Sequence, residues 1–149
     1  MEKEPDRTLN TLLVTLFREI MDIEQNVLIS GEFVDITIND MHVIEAIGMG
    51  EPSPSSVVAK KLSVTMGTLT KSIDRLTRTG YVLRERSEED KRLVLLSLTE
   101  RGERAYAHHK SFHEEMIRAA MGQFNKTEAA ILIHSLEGLV QYFNSQKKK

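Results

Sequence analysis

Residues Val64–Gly80, VTMGTLTKSIDRLTRTG, are the stretch that decides the fold. Its apolar side chains recur at spacings of three and four residues: Met66, Leu69, Ile73 and Leu76. This period predicts an amphipathic helix that packs one apolar stripe against a core. Thr65 fits the N-cap of that helix, and Gly80 fits the left-handed position just beyond its C-terminus.

The opposite face of this predicted helix has a composition of its own. It carries Gly67, Thr68, Lys71, Asp74, Arg75 and Arg78. Small residues stand at its N-terminal end and cations stand further along. A helix that enters a DNA major groove needs this arrangement, because it comes closest at the small residues and meets phosphates with the cations. A solvated surface helix is the alternative that this stretch alone leaves open.

The segment before this helix favours a DNA-binding fold. Ser55–Leu62 is predicted to be a short helix, with Ser53 as its cap and Pro54 at its first position. Ser63–Thr65 then forms a tight turn into the next helix. Two helices joined by so short a turn are typical of a helix-turn-helix motif.

The segment after Gly80 changes to a strand pattern. Tyr81–Arg86 and Lys91–Leu98 are predicted to be two strands of a hairpin, with an acidic turn at residues 87–90 between them. A two-stranded ribbon that directly follows a helix-turn-helix is the wing of a winged helix. The order of these elements is more specific than any one of them.

Helices are predicted on both sides of this centre. They span Thr8–Ile29, Met41–Gly48, Thr99–Met121 and a last segment that begins after Asn125. Capping boxes at Thr37–Asp40 and Asn125–Glu128 support two of these starts, and Phe33–Ile38 is expected to be a short extended connector. The apolar stripes of the long helices have few partners inside one chain, which indicates a homodimer with interleaved N- and C-terminal helices. The tail Lys147–Lys149 is expected to fray.

The predicted fold class is therefore mainly α with a small β-hairpin wing. We expect one domain over residues 1–149, a winged helix DNA-binding part at residues 39–98, and dimerisation helices at residues 6–30 and 99–146. The two-fold axis of such a dimer presents two recognition helices about one DNA turn apart. The expected partner of the dimer is therefore double-stranded DNA with a near-palindromic operator, whose symmetry matches that of the protein.

Composition limits the other classes of function. The length of 149 residues fits one domain. The chain has no Cys, which excludes disulfides, zinc–thiolate sites and cysteine nucleophiles. No apolar run has membrane-spanning length and no signal peptide precedes MEKEPDR, so we expect a cytoplasmic protein without a membrane partner. Although the net charge is −2, residues 57–98 hold nine Lys or Arg against five Asp or Glu, and the remaining residues hold eleven against seventeen. The basic centre suits a protein that meets phosphate with one face.

Individual DNA contacts can be predicted on this basis. Thr68, Lys71 and Arg75 are expected in the major groove, with Thr65 near a phosphate at the helix N-terminus. Arg92 is expected in the minor groove, with Asp90 two residues earlier on the same strand face to brace its side chain. The expected phosphate contacts are Ser55, Arg84, Arg86 and Lys91. A surface ion pair is the alternative for Asp90 and Arg92.

These residues resemble the MarR family of transcriptional regulators over nearly the whole chain. The matching segments are Leu62–Thr70, Leu76–Val82, Asp90-Lys91-Arg92 and Leu98–Gly102. The last two match the family's wing signature, an Asp and an Arg two apart, followed by the Leu-Thr that opens the fifth helix. The resemblance implies a dimeric winged helix that represses transcription until an effector weakens its hold on DNA.

A narrower resemblance is to the branch of this family that represses fatty-acid synthesis genes in Firmicutes. It is carried by Asp40–His42, Val64–Thr68, Arg86–Asp90 and His109–His113. That branch is implied to use an acylated carrier protein as corepressor. A small apolar effector is also compatible with the chain, because methionine side chains adapt to ligands of variable length. The expected effector pocket comprises Met41, His42, Ile44, Met66, His109, Phe112, His113 and Met116; core packing is the alternative for its apolar members.

The histidines allow a zinc-responsive regulator as an alternative. His109 and His113 are four residues apart and share a helix face. With His42 and Glu24 they offer three imidazoles and a carboxylate, a donor set that suits tetrahedral zinc. Zinc-sensing relatives in the family have a similar arrangement. A hydrogen-bonded cluster without metal is the other interpretation, so no cofactor is required by the sequence.

Two further classes of protein are weighed against a regulator. An enzyme is not indicated, because the chain has no Gly-rich phosphate loop, no nucleophile elbow and no paired carboxylates in an apolar setting. A dimeric interaction module without DNA binding is the remaining alternative. The cations on the predicted helix and wing argue against it.

Overall fold

The computed structural model describes residues 3–147, without the side chains of residues 3, 4, 29 and 30. The elements in chain order are α1 (Lys3–Ser30), α2 (Ile38–Ile47), β1 (Ser53–Pro54), α3 (Ser55–Leu62), α4 (Met66–Arg78), β2 (Val82–Arg86), β3 (Val94–Leu98), α5 (Glu100–Met121) and α6 (Lys126–Gln146). They belong to two units, residues 1–108 and residues 109–149. The predicted fold class, mainly helical with a small winged sheet, is confirmed.

Helix α4 forms as its sequence predicts. The Thr65 hydroxyl accepts a hydrogen bond from the Thr68 backbone N–H at 3.2 Å, which satisfies a donor that the first helical turn leaves unpaired. Gly80 has φ +85°, a conformation that glycine adopts without strain. Leu69, Ile73 and Leu76 are buried, as expected. Met66 is not, with 46% of its surface exposed, because the first residue of α4 lies beside the wing and not over the core.

Helix α2 begins three residues earlier than predicted. Thr37 and Asp40 form the predicted capping box, in which each side chain accepts from the other residue's backbone N–H, so that Ile38 is already helical. The helix ends before Gly48. The predicted connector between α1 and α2 contains no strand in the described structure, and Phe33, Ile36 and Ile38 bury their side chains in the core.

The sheet has a third strand that the sequence analysis did not predict. The order is β1-β3-β2, all antiparallel, and β1 pairs Ser53 with Leu96. Ser53 is therefore not the cap of α3: Pro54 occupies the N-cap position without a side-chain hydrogen bond, and the Ser53 hydroxyl donates to the Ile47 carbonyl at 3.5 Å. The predicted span of α3 is correct.

The wing hairpin has a longer tip than predicted. Val82 pairs with Leu98 and Arg86 with Val94, so residues 87–93 make the connection. A turn within this tip is closed by the Leu93 N–H, which donates to the Asp90 carbonyl at 2.9 Å. Lys91 and Arg92 consequently lie on the tip and not on a strand, which corrects the predicted start of β3.

The start of α5 packs closely on the corner between α4 and β2. The Thr99 hydroxyl caps α5 by accepting from the Gly102 N–H at 3.1 Å, as predicted. A Cβ atom on Gly102 would lie 2.1 Å from the Tyr81 carbonyl oxygen, so only glycine fits there. Tyr81 is itself buried and donates its hydroxyl to Asp35 at 2.5 Å. Burial, together with the hydrogen bond to this carboxylate, raises the pKa of Tyr81 well above its usual range.

The unit of residues 109–149 contains the rest of α5 and helix α6. The predicted capping box of α6 is present: Asn125 and Glu128 exchange hydrogen bonds, both 2.9 Å long. None of the described residues of α6 is buried. Of the lysine tail, only Lys147 lies within the described residues. Among these, no helix combines the length and the apolar character needed to cross a membrane.

Candidate nucleic-acid interface

The outer face of α4 is exposed over its whole length, and its edges border two different neighbours. Gly67, Lys71 and Arg78 lie along its middle, since they follow spacings of four and seven residues. Thr68 borders a groove of about 260 Å³ that α2 also lines. Thr70 borders a cleft of about 430 Å³ on the other side, towards β2 and β3. The predicted DNA-reading residues are thus gathered on one surface of the N-terminal unit.

Two ion pairs hold α4 on these two sides. Asp74 accepts from Arg84 of β2 at 2.7 Å, and both side chains remain exposed. Arg75, the next residue, donates to Asp40 of α2. Adjacent residues of one helix therefore anchor it to the wing and to α2.

The Asp40 carboxylate is completely buried, whereas 44% of the Arg75 side chain is exposed. One carboxylate oxygen accepts from Arg75 and the other from the Thr37 N–H at 3.0 Å. A buried carboxylate is tolerated when charged and hydrogen-bonded groups surround it in this way. The sequence predicts only the capping role of Asp40, because nothing in the local pattern relates residue 40 to residue 75.

The wing tip places Arg92 in solvent. Its side chain is 91% exposed, and its Nε donates to Asp90 at 3.2 Å. The Arg92 backbone N–H donates to the same carboxylate oxygen at 3.1 Å. The predicted bracing contact is therefore present, although a turn and not a shared strand face brings the two residues together.

Three of the remaining predicted phosphate contacts, Ser55, Arg84 and Arg86, line the cleft beside the wing. Arg86 donates to the Lys91 carbonyl at 2.9 Å, which ties β2 to the tip. Ser55, at the first turn of α3, lines the cleft together with Met66 and Arg84. The Thr65 hydroxyl is engaged with Thr68 in the cap, with their two oxygens 3.0 Å apart.

The predicted effector residues are not gathered in one place within the N-terminal unit. Met41 and Ile44 are completely buried members of its core. His42 is half-buried and lines the groove between α2 and α4, while Met66 borders the cleft on the other side of α4. The structure thus favours core packing for Met41 and Ile44, the alternative that the sequence left open.

Ring contacts in the C-terminal unit bring three other predicted residues together. The rings of His109 and His113 have centroids 4.4 Å apart, and Phe112 packs against both. Met116, one turn further along α5, is half-buried. The shared face predicted for His109 and His113 is present. Of the other proposed zinc ligands, Glu24 is buried in α1 and His42 lies on α2, both in the N-terminal unit, so the zinc site stays a prediction.

The chain is similar to several regulators with the same architecture. Residues 36–102 match the family described as "Winged helix DNA-binding domain". The regulator SarZ of Staphylococcus aureus is 30% identical over 118 residues, which cover 76% of this chain and 77% of SarZ. The uncharacterized regulator YhjH of Bacillus subtilis is 26% identical over 103 residues, 68% of this chain, so this chain spans only 59% of the length of YhjH.

Solved structures of transcriptional regulators have the same fold as this chain. Streptococcus pneumoniae FabT in complex with DNA is 36% identical and superposes with a TM-score of 0.91 over 94% of this chain and 98% of FabT. A MarR family protein from Bacillus stearothermophilus, 20% identical, has the same fold with a TM-score of 0.79 over 97% of this chain and 99% of that protein. This chain belongs to the MarR family of DNA-binding transcriptional regulators with a winged helix-turn-helix fold.

Proposed function

We propose that this chain is a homodimeric repressor that binds a near-palindromic operator and whose affinity for DNA is set by an effector. The observation that carries the proposal is the joint exposure of the α4 outer face and Arg92 on one unit. The similarity to FabT, whose structure holds DNA, supports it. Because the relative SarZ is a transcriptional regulator, we assign this chain no catalytic role. We place the protein in the cytoplasm, with the genes that it controls.

In this proposal, α4 enters the major groove and the wing enters the minor groove. Thr68 and Lys71 reach base edges, because they stand near the N-terminal end of α4, where small residues let the helix approach the groove most closely. Arg92, oriented by Asp90, enters the minor groove. The remaining cations and hydroxyls contact phosphates: Ser55, Thr65, Arg84, Arg86 and Lys91.

Exposed apolar residues support the homodimer. In the N-terminal unit, α1 exposes Leu12, Leu16 and Phe17 by more than half of their surface. In the C-terminal unit, α6 does the same with Ile131 and Val140. Contiguous apolar surface of this kind is typical of an interface. A second copy of the chain would cover both helices and set two recognition helices on one duplex.

The effector that we propose is a long-chain acylated carrier protein acting as corepressor on fatty-acid synthesis genes. The support is the motif similarity to that branch and the 36% identity to FabT. Zinc is the second candidate, because His109 and His113 approach each other on α5 and their imidazole nitrogens are zinc donors.

Fluorescence anisotropy with DNA from upstream of the protein's own gene tests the DNA contacts. We expect Lys71→Ala together with Arg92→Ala to weaken operator binding by roughly 100-fold, because each groove contact that is lost costs about 1–3 kcal/mol. The matched control is Arg104→Ala with Lys126→Ala, which removes the same charge from α5 and α6. If both double variants bind equally well, the proposed interface is wrong.

The same titration distinguishes the two effectors. Tighter binding with the acylated carrier protein, and not with the unacylated one, supports the fatty-acid branch. Tighter binding with zinc that a chelator reverses supports Glu24, His42, His109 and His113 as ligands. Absence of binding to the upstream DNA at low salt would contradict the proposed function as a whole.

A further inference from the structure

Asp40 combines two properties that rarely occur together in a helix of this size. It is completely buried and it is an acid. Its two oxygens have one protein partner each, the Thr37 N–H and the Arg75 guanidinium. Leaving a carboxylate buried without its cation is strongly unfavourable, because the charge then has neither water nor a counterion. Asp40 therefore holds Arg75 in its observed position.

Arg75 lies on the side of α4 that faces α2. Thr68, seven residues earlier, lines the groove with α2, and residues seven apart in a helix lie almost in line. Asp74, about 100° further round the helix, faces the wing and contacts Arg84. The rotation of α4 about its own axis is thus fixed from two directions, by one buried and one exposed ion pair.

We propose that Arg75 and Asp40 form a positioning pair that sets the rotation of α4 for sequence-specific binding, and that Arg75 is not a reader of bases. The proposal rests on the proposed DNA-binding function and replaces the role that the sequence suggested for Arg75. A guanidinium that left Asp40 to reach a base would strand a buried charge in α2. The base contacts then belong to Thr68 and Lys71, which Arg75 aims.

The geometry explains why a fixed rotation matters. Side chains of a helix reach about 5–6 Å from its axis, so a rotation of about 20° displaces them by roughly 2 Å. A displacement of this size breaks a hydrogen bond to a base edge, since such bonds tolerate only a few tenths of an ångström. Contacts to phosphates are long-range and survive it. Loss of the pair is therefore expected to reduce specific binding more than non-specific binding.

Asp40→Asn is the discriminating variant. An amide oxygen still accepts from the Thr37 N–H, but the charge that holds Arg75 is gone. We expect operator affinity to fall by about 10- to 50-fold. Affinity for unrelated DNA should stay within about two-fold of the wild type, and the salt slope within about half a unit. If Arg75 reads bases instead, releasing it from Asp40 leaves operator affinity unchanged or raises it, and the proposal is overturned.

A second variant covers the case in which a single change destabilises the fold. Arg75→Gln alone strands Asp40 and is expected to lower both the melting temperature and the operator affinity. Adding Asp40→Asn gives a neutral amide pair, and we expect the double variant to recover operator affinity by at least ten-fold over Arg75→Gln. If Arg75 contacts DNA directly, the double variant binds no better than Arg75→Gln, because both lack the cation.

Controls keep this test separate from that of the proposed function. Arg104→Gln removes an α5 arginine that forms an exposed ion pair with Glu32, and this variant is expected to bind like the wild type. All variants are compared at a temperature where circular dichroism shows them folded. If the wild type itself binds no operator, the proposed function fails; if the wild type binds and Asp40→Asn binds equally well, only the positioning pair fails.

Discussion

Gly102 is the residue at which the corner of the winged helix is most tightly packed. Its α-carbon faces the Tyr81 carbonyl so closely that a Cβ would lie 2.1 Å from the oxygen. That oxygen also accepts from the Thr99 N–H at 3.0 Å, so it is fixed in place. An added methyl group has to displace backbone and not a flexible side chain.

We expect Gly102→Ala to lower the free energy of unfolding by about 1–3 kcal/mol, because overpacking against fixed backbone costs that much. In a chain of this size the melting temperature falls by about 3–10 °C. Thermal unfolding followed by circular dichroism measures it. Gly67→Ala is the matched control, since its Cβ meets only the Thr65 hydroxyl at 4.0 Å and alanine favours a helix. Equal melting temperatures for the two variants would contradict the close packing.

At this scale the sequence predicts roles that depend on neighbours along the chain, and misses those that depend on folding. Thr65 and Thr99 were predicted as caps and act as caps, because a cap is decided within four residues. Met41 and Ile44 were expected in an effector pocket and lie in the core. Periodicity marks an apolar position, but it does not tell whether a cavity or another side chain fills the space beside it.

In the wing, the weak ion pair between Asp90 and Arg92 orients the Arg92 side chain. Asp90 contacts both the backbone and the side chain of Arg92, yet the Arg92 side chain is almost fully exposed. Exposed ion pairs contribute little to stability, about 0–1 kcal/mol. The contact is therefore expected to affect the direction of Arg92 and not the stability of the fold.

We expect Asp90→Ala to weaken operator binding by about three- to ten-fold without a change in melting temperature, because an Arg92 without its brace loses rotamer freedom on binding. Anisotropy titrations at fixed salt measure this change. Glu88→Ala removes the same charge from the same tip without touching Arg92, and it is expected to bind as well as the wild type or better. Tighter binding by Asp90→Ala would mean that its charge repels DNA and that bracing is unimportant.

Among the elements, strands were harder to predict than helices. The bounds of α3 and α4 agree with the predicted ones, because a proline before α3, the tight turn between the helices, the Thr65 cap and Gly80 mark them. Strand β1 has only two residues, Ser53 and Pro54, and no alternation can be seen in so short a segment. Lys91 and Arg92 were assigned to β3 because they precede an apolar run, whereas the turn closed by Asp90 removes them from the ladder.

For the whole molecule, the central expectation is that two copies associate through the apolar stripe of α1. Leu12 and Leu16 are one turn apart and exposed by 60% and 57%. We expect Leu12→Glu with Leu16→Glu to give a monomer in sedimentation velocity. Operator affinity is expected to fall by at least about 100-fold, because the second half-site is no longer bound at a high effective concentration.

Gln25→Glu is the control for this variant, because it adds a charge on the opposite side of α1 from Leu12 and Leu16. It is expected to stay dimeric and to bind the operator like the wild type. A double variant that sediments as a dimer would show that the stripe is not the interface.

The sequence predicts this stripe well, but it does not identify the effector, because the contacts of an effector depend on how separate elements come together.

The clamping of α4 from both sides has a consequence for protein engineers. Grafting the exposed residues of α4 onto another winged helix transfers the side chains that contact DNA. It does not transfer Asp40 and Arg84, which fix the rotation of the helix. The graft needs counterparts of Asp40 and Arg84 in the new host, one under the helix and one on its wing. Conversely, a library built to change operator preference should randomise position 40 together with the exposed positions. Position 40 would be overlooked in a selection based on surface exposure, because its side chain is buried.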